Sequence, residues 1–442
     1  MRTTRCFLAC VLVAACAADA EKETAPDVEA FRAEVLGDIA ASVCPADPCP
    51  LVPFMPTPAA AREESRGRRI LLVDDAIVLP AATRWPDRVL GVLAQGPDGT
   101  YAEATPTFTM AQDALDVLAK VAAFPRPVSA ETLDLAAAFF AKFSTTIPGD
   151  AYGHGGDILP FLAERIPGSQ FLLSEDQLDA PAGCELLDAD PGDASWAAHD
   201  AFVARMSSSL ETAIVRYGIN TVHLSWGLDH VALSRSFESQ CGRPASVAVT
   251  RRFMEPYVTL FRDLTALETP SVGGRLDPVL VFQAGASGTD PDEQFLDCAD
   301  LPRRLRVYSV PYVGTAVPPE GSHDYSLLSR PLAELGCNDV FVVMGYTSIF
   351  EPTRGDRYFP SMPFGLGRAP RPSWPPASSF ANPVGLAHFL RLAGDHPEER
   401  PADWIGRFTA GGTRPIIDPL LYEASDVRTG SLHVPDMNRT SP

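Results

Sequence analysis

Short apolar runs recur along this chain, each followed by a longer stretch with helical spacing. The first is Arg69-Ile70-Leu71-Leu72-Val73, which ends in Asp74-Asp75. An apolar run of this length, without polar alternation, predicts a strand covered on both faces, as in a parallel sheet. Further strands are expected at 169–174, 219–226, 278–284, 305–312 and 339–345. Between them, apolar residues three and four apart predict helices over about 194–217 and 246–267. Another runs from Ile158 to Arg165, just after Gly153-His154-Gly155-Gly156-Asp157. A last apolar run, Val384 to Leu392, follows a Pro-rich loop at 369–376 and predicts a buried helix that opens near Ser378-Ser379. Strands alternating with helices in this way predict an α/β protein, three-layered α/β/α, around a mostly parallel central sheet.

The pattern also divides the chain. Residues 69–395 carry the alternation, with an insertion expected at about 78–150. That insertion contains helical patterns at 110–123 and 130–143, separated by Phe124-Pro125-Arg126-Pro127. Residues 17–68, rich in Ala, Glu, Pro and Arg, read as a tether or short pro-region with a helix near 27–42. Residues 396–442, polar and Pro-rich, read as a C-terminal extension. No internal repeat is visible.

Charge and the N-terminus narrow the setting. Asp and Glu number 56 against 36 Lys and Arg, a net charge of −20, which argues against nucleic acid or an anionic membrane surface as partner. Arg2 and Arg5 precede the apolar run Phe7 to Ala15 and then small residues, the pattern of a secretory signal over residues 1–16. Val13-Ala14-Ala15-Cys16 resembles the bacterial lipobox, which implies lipidation of Cys16 and retention in the cell envelope, facing out of the cytoplasm. The alternative is ordinary cleavage near Ala18 or Ala20. Beyond the signal, Cys44, Cys49, Cys184, Cys241, Cys298 and Cys337 remain. Six cysteines in an exported chain suggest up to three disulfides among fifteen pairings. Cys44 with Cys49 is the expected local pair, since Pro45 and Pro48 favour a turn between them. Zinc fits less well, because no CxxC spacing or nearby histidine accompanies them.

Three residue types could act together. Asp74 and Asp75 close the first strand, where an open parallel sheet gathers its functional groups. His154 stands between glycines at a predicted helix start. Ser379 falls on the first turn of the last helix, where outward N–H groups favour negative charge. An orienting carboxylate, a base and a hydroxyl are what nucleophilic acyl transfer requires. Each also has an ordinary structural role, as turn former or helix cap.

In these contexts the order Asp, His, Ser resembles the subtilisin-like serine proteases. ILLVDDAI is similar to their first-strand D-[DST]-G motif and selects Asp74 over Asp75, with Ala76 in place of glycine. GHGGDILPFLAERIPGSQ is similar to their GHGT-H-V-A-G helix, keeping Gly153, His154 and Gly155 but carrying Gly156 and Asp157 in place of Thr and His. INTVHLSWG resembles the strand that ends in S-x-G, which implies that Ser225, Trp226 and Gly227 pair with substrate backbone. ASSFANPVGLAHFL is similar to G-T-S-x-A-T-P. Ser379, Ala381 and Pro383 match there, while Ala377, Ser378 and Asn382 depart.

The resemblance spans about 69–393 and implies a subtilisin-like fold and an Asp74–His154–Ser379 triad. It also implies an oxyanion hole built from the Ser379 N–H and a side-chain amide. At the amide's position, in Gln283-Ala284-Gly285-Ala286-Ser287-Gly288, the chain has Ala286. A methyl group donates no hydrogen bond, and loss of this donor costs about 100- to 1000-fold in turnover, a magnitude known from this same family. Ser378 and Ser287 carry hydroxyls that could substitute. Gln283 is less suited, since it should lie on the strand itself. The expectation is therefore an extracytoplasmic serine endopeptidase, slow or specialised, acting on polypeptides without a cofactor. The alternative is a catalytically weakened member of the same fold that serves as a surface binding or scaffold module. Calcium sites are common in the family, but no compact Asp-rich loop identifies one here. The acidic stretch 290–300 reads as a solvated loop stapled by Cys298.

Overall fold

A computed structural model describes residues 51–58, 68–75, 77–109, 154–175, 183–190, 192–270, 276–285, 290, 292–310, 337–343, 359–360, 368–369, 378–394, 399–410 and 416, with isolated helical residues between 30 and 37. In chain order the main elements are β1 (Leu51–Pro53), β2 (Arg69–Val73), α1 (Val78–Arg84), β3 (Val89–Gln95), β4 (Tyr101–Ala104) and β5 (Thr107–Thr109). They continue with α2 (His154–Arg165), β6 (Gln170–Ser174), α3 (Ala194–Tyr217), β7 (Thr221–Leu224), α4 (His230–Cys241) and α5 (Val247–Ala266). Then come β8 (Glu268–Pro270), β9 (Leu276–Pro278), β10 (Leu280–Ala284), α6 (Phe295–Cys298), β11 (Arg304–Val310), β12 (Val340–Val343), α7 (Ser378–Gly394) and α8 (Ile405–Ala410).

Eight of these strands form one sheet in the order β12-β11-β10-β7-β2-β6-β3-β4. Every neighbour pair is parallel except β3 with the edge strand β4. Successive residues of β2 enter opposite faces. Ile70 and Leu72 join a core with α2 and α7, whereas Leu71 and Val73 join one with α3, α4 and α5. Burial on both faces explains why the strands read as continuous apolar runs. The α/β class and the largely parallel sheet follow.

The chain runs from β2 out to β3 and the edge strand β4, returns to β6 beside β2, and then crosses to place β7, β10, β11 and β12 on the other side of β2. The direction of winding reverses between β2 and β7. In open sheets a crevice forms beyond the strand ends at such a point. Asp74 follows β2 and Ser225 follows β7, so both stand at this opening.

Several expectations need adjusting. Within the stretch 78–150, β3 and β4 extend the central sheet. The helical patterns at 110–123 and 130–143 lie outside the described residues, as do Cys44 and Cys49. Part of the polar C-terminal stretch packs on the core: Trp404 is buried, Phe408 stacks edge-on against Phe389 at 5.2 Å, and Ile416 bridges Val342. Among the possible pairings, the described disulfides are Cys184–Cys241 and Cys298–Cys337. The 290–300 stretch is less solvated than its acidity suggests, for it contains α6 with Leu296 and Asp297 buried.

Candidate active site

The site begins with chain geometry around Asp74. Its N–H donates to Ser174 O, which continues the β2–β6 ladder one residue past the strand. The next residue, Asp75, accepts the Gly155 N–H through Oδ1 at 2.8 Å and so caps the start of α2. The two segments approach very closely. A Cβ on Gly155 would fall 2.2 Å from Asp75 O, 2.3 Å from Ile77 Cγ2 and 2.7 Å from Asp74 Cβ. Only glycine fits there, which is the physical basis of the second glycine in Gly153-His154-Gly155.

This approach sets His154 against Asp74. The imidazole Nδ1 lies 2.9 Å from Asp74 Oδ1 and 3.2 Å from Oδ2. An ionised carboxylate only accepts hydrogen bonds, so Nδ1 carries the proton and Nε2 is left as the basic nitrogen. The His154 side chain is 33% exposed and that of Asp74 only 4%. Burial pushes the Asp74 carboxyl above its ordinary value. The hydrogen bond and charge of His154 pull it back, and the nearby Asp75 adds to the rise. The buried Ser225 hydroxyl is close enough to favour the Asp74 anion, yet it makes no hydrogen bond of good geometry among the described residues.

The last helix brings the hydroxyl. α7 packs across the sheet face beside α2, and Phe380 stands 5.1 Å from the His154 ring and 6.0 Å from Phe161. Ser379, the preceding residue, is half-buried on the first turn of this 17-residue helix. Its N–H lacks an intrahelical acceptor and meets the positive end of the helix dipole. Pro383, four residues on, cannot donate to the Ser379 carbonyl, so the turn is not held by the usual ladder. Asn382 holds it instead. It is fully buried, and its Nδ2 donates to Leu224 O at 2.8 Å and Phe282 O at 3.3 Å, pinning α7 to β7 and β10. Gly385 allows the close contact, since a Cβ there would lie 2.9 Å from Val307 Cγ1.

The structure thus brings Asp74, His154 and the first turn of α7 to one sheet opening. Ser378 is directed to β11, where its Oγ accepts the Ser309 N–H at 3.4 Å. Trp226 and Gly227 are half-buried beyond Ser225. Ala286 and Ser287 lie outside the described residues, as does Cys16. Gln283 is on β10 and donates from Nε2 to Asp297 Oδ1 at 2.7 Å, consistent with its place on the strand. Asp74, Asp75 and His154 also bring one ligand atom each within 4.8 Å of one another and could hold a metal ion. As they stand, His154 Nδ1 is hydrogen-bonded to Asp74, and Asp75 accepts the Gly155 amide.

Two buried residues of this region were not singled out from sequence. His223 on β7 lies in register with Leu72 and Phe282, is fully buried, and has neither ring nitrogen partnered among the described residues. Burial, with a smaller contribution from the nearby His154, pushes its pKa down to about 3, so the ring is neutral. The only sequence signal is a histidine inside an otherwise apolar strand. Asp297 is the second. Burial pushes its carboxyl up to about 7; Arg304 and Arg306 oppose this, as does the Gln283 hydrogen bond, and Asp229 reinforces it.

No family model matches this chain, and no curated protein matches it. Among the described residues no helix is long and apolar enough to cross a membrane.

Proposed function

We propose that this chain is a serine endopeptidase of subtilisin-like fold that acts outside the cytoplasm on polypeptide substrates. The observation that carries the reading is the Asp74–His154 pair, 2.9 Å apart at the winding reversal of the sheet, with the Ser379-bearing helix packed against the same imidazole. In this reading Ser379 Oγ attacks a peptide carbonyl and His154 Nε2 takes the hydroxyl proton. His154 then returns that proton to the leaving amine as the C–N bond breaks, leaving an ester on Ser379. Water, deprotonated by the same nitrogen, hydrolyses the ester and restores the serine. Asp74 fixes the imidazole tautomer and stabilises the imidazolium. The Ser379 N–H at the helix start meets the developing oxyanion.

One observation favours a second reading. The chain has Ala286 where the resemblance calls for a donor amide, so the oxyanion would lack a hydrogen bond. A slow peptidase and a binding module of the same fold both accommodate this. We further propose that Cys16 is lipidated and anchors the protein in a bacterial envelope. The disulfides Cys184–Cys241 and Cys298–Cys337 support an oxidising compartment.

Fluorophosphonate labelling of the full chain in detergent, beside Ser379→Ala and His154→Ala, tests the chemistry. The peptidase reading expects labelling of the parent alone. A folded parent that does not label leaves the binding-module reading. Incorporation of a labelled fatty acid, lost in Cys16→Ser, tests the anchor.

A further inference from the structure

We propose that Asp74, Asp75 and His154 form a binding site for a divalent transition-metal ion of the zinc type, and that the ion switches off His154 as a base. The coordination rests on geometry alone, and its effect on catalysis rests on the peptidase reading.

The close approach of the two segments at Gly155 brings these side chains to one point. One ligand atom from each lies within 4.8 Å of the other two. His154 Nδ1 and Asp74 Oδ1 stand 2.9 Å apart. Two ligands of one tetrahedral zinc, each at about 2.0–2.2 Å, lie about 3.3 Å apart, so a small parting of the pair admits the ion. Asp75 holds the Gly155 N–H through Oδ1, which leaves Oδ2 to ligate. The Asp74 side chain is only 4% exposed and that of His154 33%, so the set is anchored on one side and open to solvent on the other.

The donor types choose the ion. One imidazole nitrogen and two carboxylate oxygens, with a fourth position for water, make a zinc-type set, whereas calcium and magnesium prefer oxygen alone. Asp75 disfavours the Asp74 anion through like charge, and a dication offsets both carboxylates. A separate observation points the same way. The pairing of Val73 with Leu224 sets Ser225 beside Asp74. The Ser225 hydroxyl reaches Asp74 and favours its anion, yet the residue is 4% exposed and Oγ has no partner of good geometry among the described residues. Metal-ligating carboxylates are steadied by such outer donors. In the metal-bound form the hydroxyl bonds the Asp74 oxygen that is turned from the ion.

A neutral imidazole carries one proton. Without metal it is on Nδ1, facing Asp74, and Nε2 is basic. A metal ion on the Nδ1 lone pair sends that proton to Nε2 by way of solvent, with no net release. Nε2 is then a donor and cannot take the Ser379 proton. The ion thus imposes the wrong tautomer.

The test uses the full chain in detergent, stripped of metal by a chelator. Co2+, a coloured substitute for zinc, is titrated into Ser379→Ala, which keeps all three ligands. The visible absorption of four-coordinate cobalt should saturate at one equivalent, and Zn2+ should displace it while Ca2+ and Mg2+ do not. The signal should vanish in His154→Ala, or in His154→Gln if the alanine variant does not fold. Asp75→Asn, whose amide oxygen still caps α2, should weaken binding more than the about tenfold loss expected for Ser225→Ala. Absence of the signal in Ser379→Ala, or its survival unaltered in the His154 and Asp75 variants, would overturn the site. In the parent, saturating Zn2+ should slow plain fluorophosphonate labelling by up to about ten-thousandfold, reversibly on chelation. Labelling that keeps its metal-free rate while the ion is bound would overturn the switch. If a folded, metal-free parent never labels, the peptidase reading falls, and the cobalt titration still decides the site.

Discussion

On one side of the sheet, α3, α4 and α5 follow local rules almost throughout. Asp193, Asp229 and Ser246 cap their first turns by accepting the N–H groups of Ser195, Ala232 and Val249. Gly218 and Gly242 end α3 and α4 in the left-handed region. Both described disulfides tie segments of this side, the connection before α3 to the end of α4, and α6 to the entry of β12. Pro256 in α5 is the departure. On the other side, α2 and α7 break several rules at once. α7 contains a proline and buries an asparagine whose Oδ1 is unpartnered among the described residues, while the second residue of α2 is a glycine pressed against two aspartates. Beneath them lies His223, whose ring nitrogens have no partner among the described residues. Local consistency marks a scaffold, and clustered violations mark a place where structure serves something other than stability. The candidate triad is on the second side.

The largest expected effect breaks that contrast at its centre. Asp74→Asn should lower the rate of fluorophosphonate labelling, or of any peptide hydrolysis found, by about ten-thousandfold, because the amide favours the wrong imidazole tautomer. Thermal melting should show that the fold persists.

Next is acid sensitivity. His223 has a folded pKa of about 3 against an ordinary 6.5, so the unfolded chain binds more protons in that interval. Stability contributed by the neutral ring is present above pH 6.5 and is lost as pH falls towards 3. His223→Leu should remove about 3 kcal/mol of this loss at pH 4, read as a smaller drop in urea midpoint between pH 7 and pH 4. An unchanged pH dependence would show that His223 does not supply it.

Gly155→Ala should cost about 1–3 kcal/mol by overpacking. It should also suppress labelling, since the added methyl group parts α2 from Asp74. Smallest are the caps of the opposite side. Asp193→Ala and Ser246→Ala should each cost about 1 kcal/mol in denaturant unfolding and leave the labelling rate of the remaining folded protein unaltered.

The same contrast explains what could be read from the chain. Strands buried on both faces appear as apolar runs, so β2, β6, β7 and β10 were visible. The long helix α3 also has the bounds that its spacing implied, Ala194–Tyr217. β3 and β4 were missed because they fall where helical patterns dominate the surrounding sequence, and membership of a sheet is decided by distant partners. α4 was missed because its single apolar stripe, Leu233 and Phe237, is short. Within the site, Asp74, His154 and Ser379 could be picked out by residue type and local context. Asn382 could be seen only as a departure from a motif, not as the bond between α7 and two strands. Asp297 read as part of an acidic loop, since the burial that changes its chemistry comes from Gln283, Arg304 and Gly227, none of them adjacent in sequence.

The placement of the two cross-links bears on how the protein matures. Neither joins two strands, so the sheet and its apolar faces can assemble while the thiols are reduced. Cys298 is the residue after Asp297, and its bond to Cys337 fixes α6 against the segment that enters β12. Forming the sheet and fixing α6 against the entry to β12 are therefore separable events, and only the second needs an oxidant.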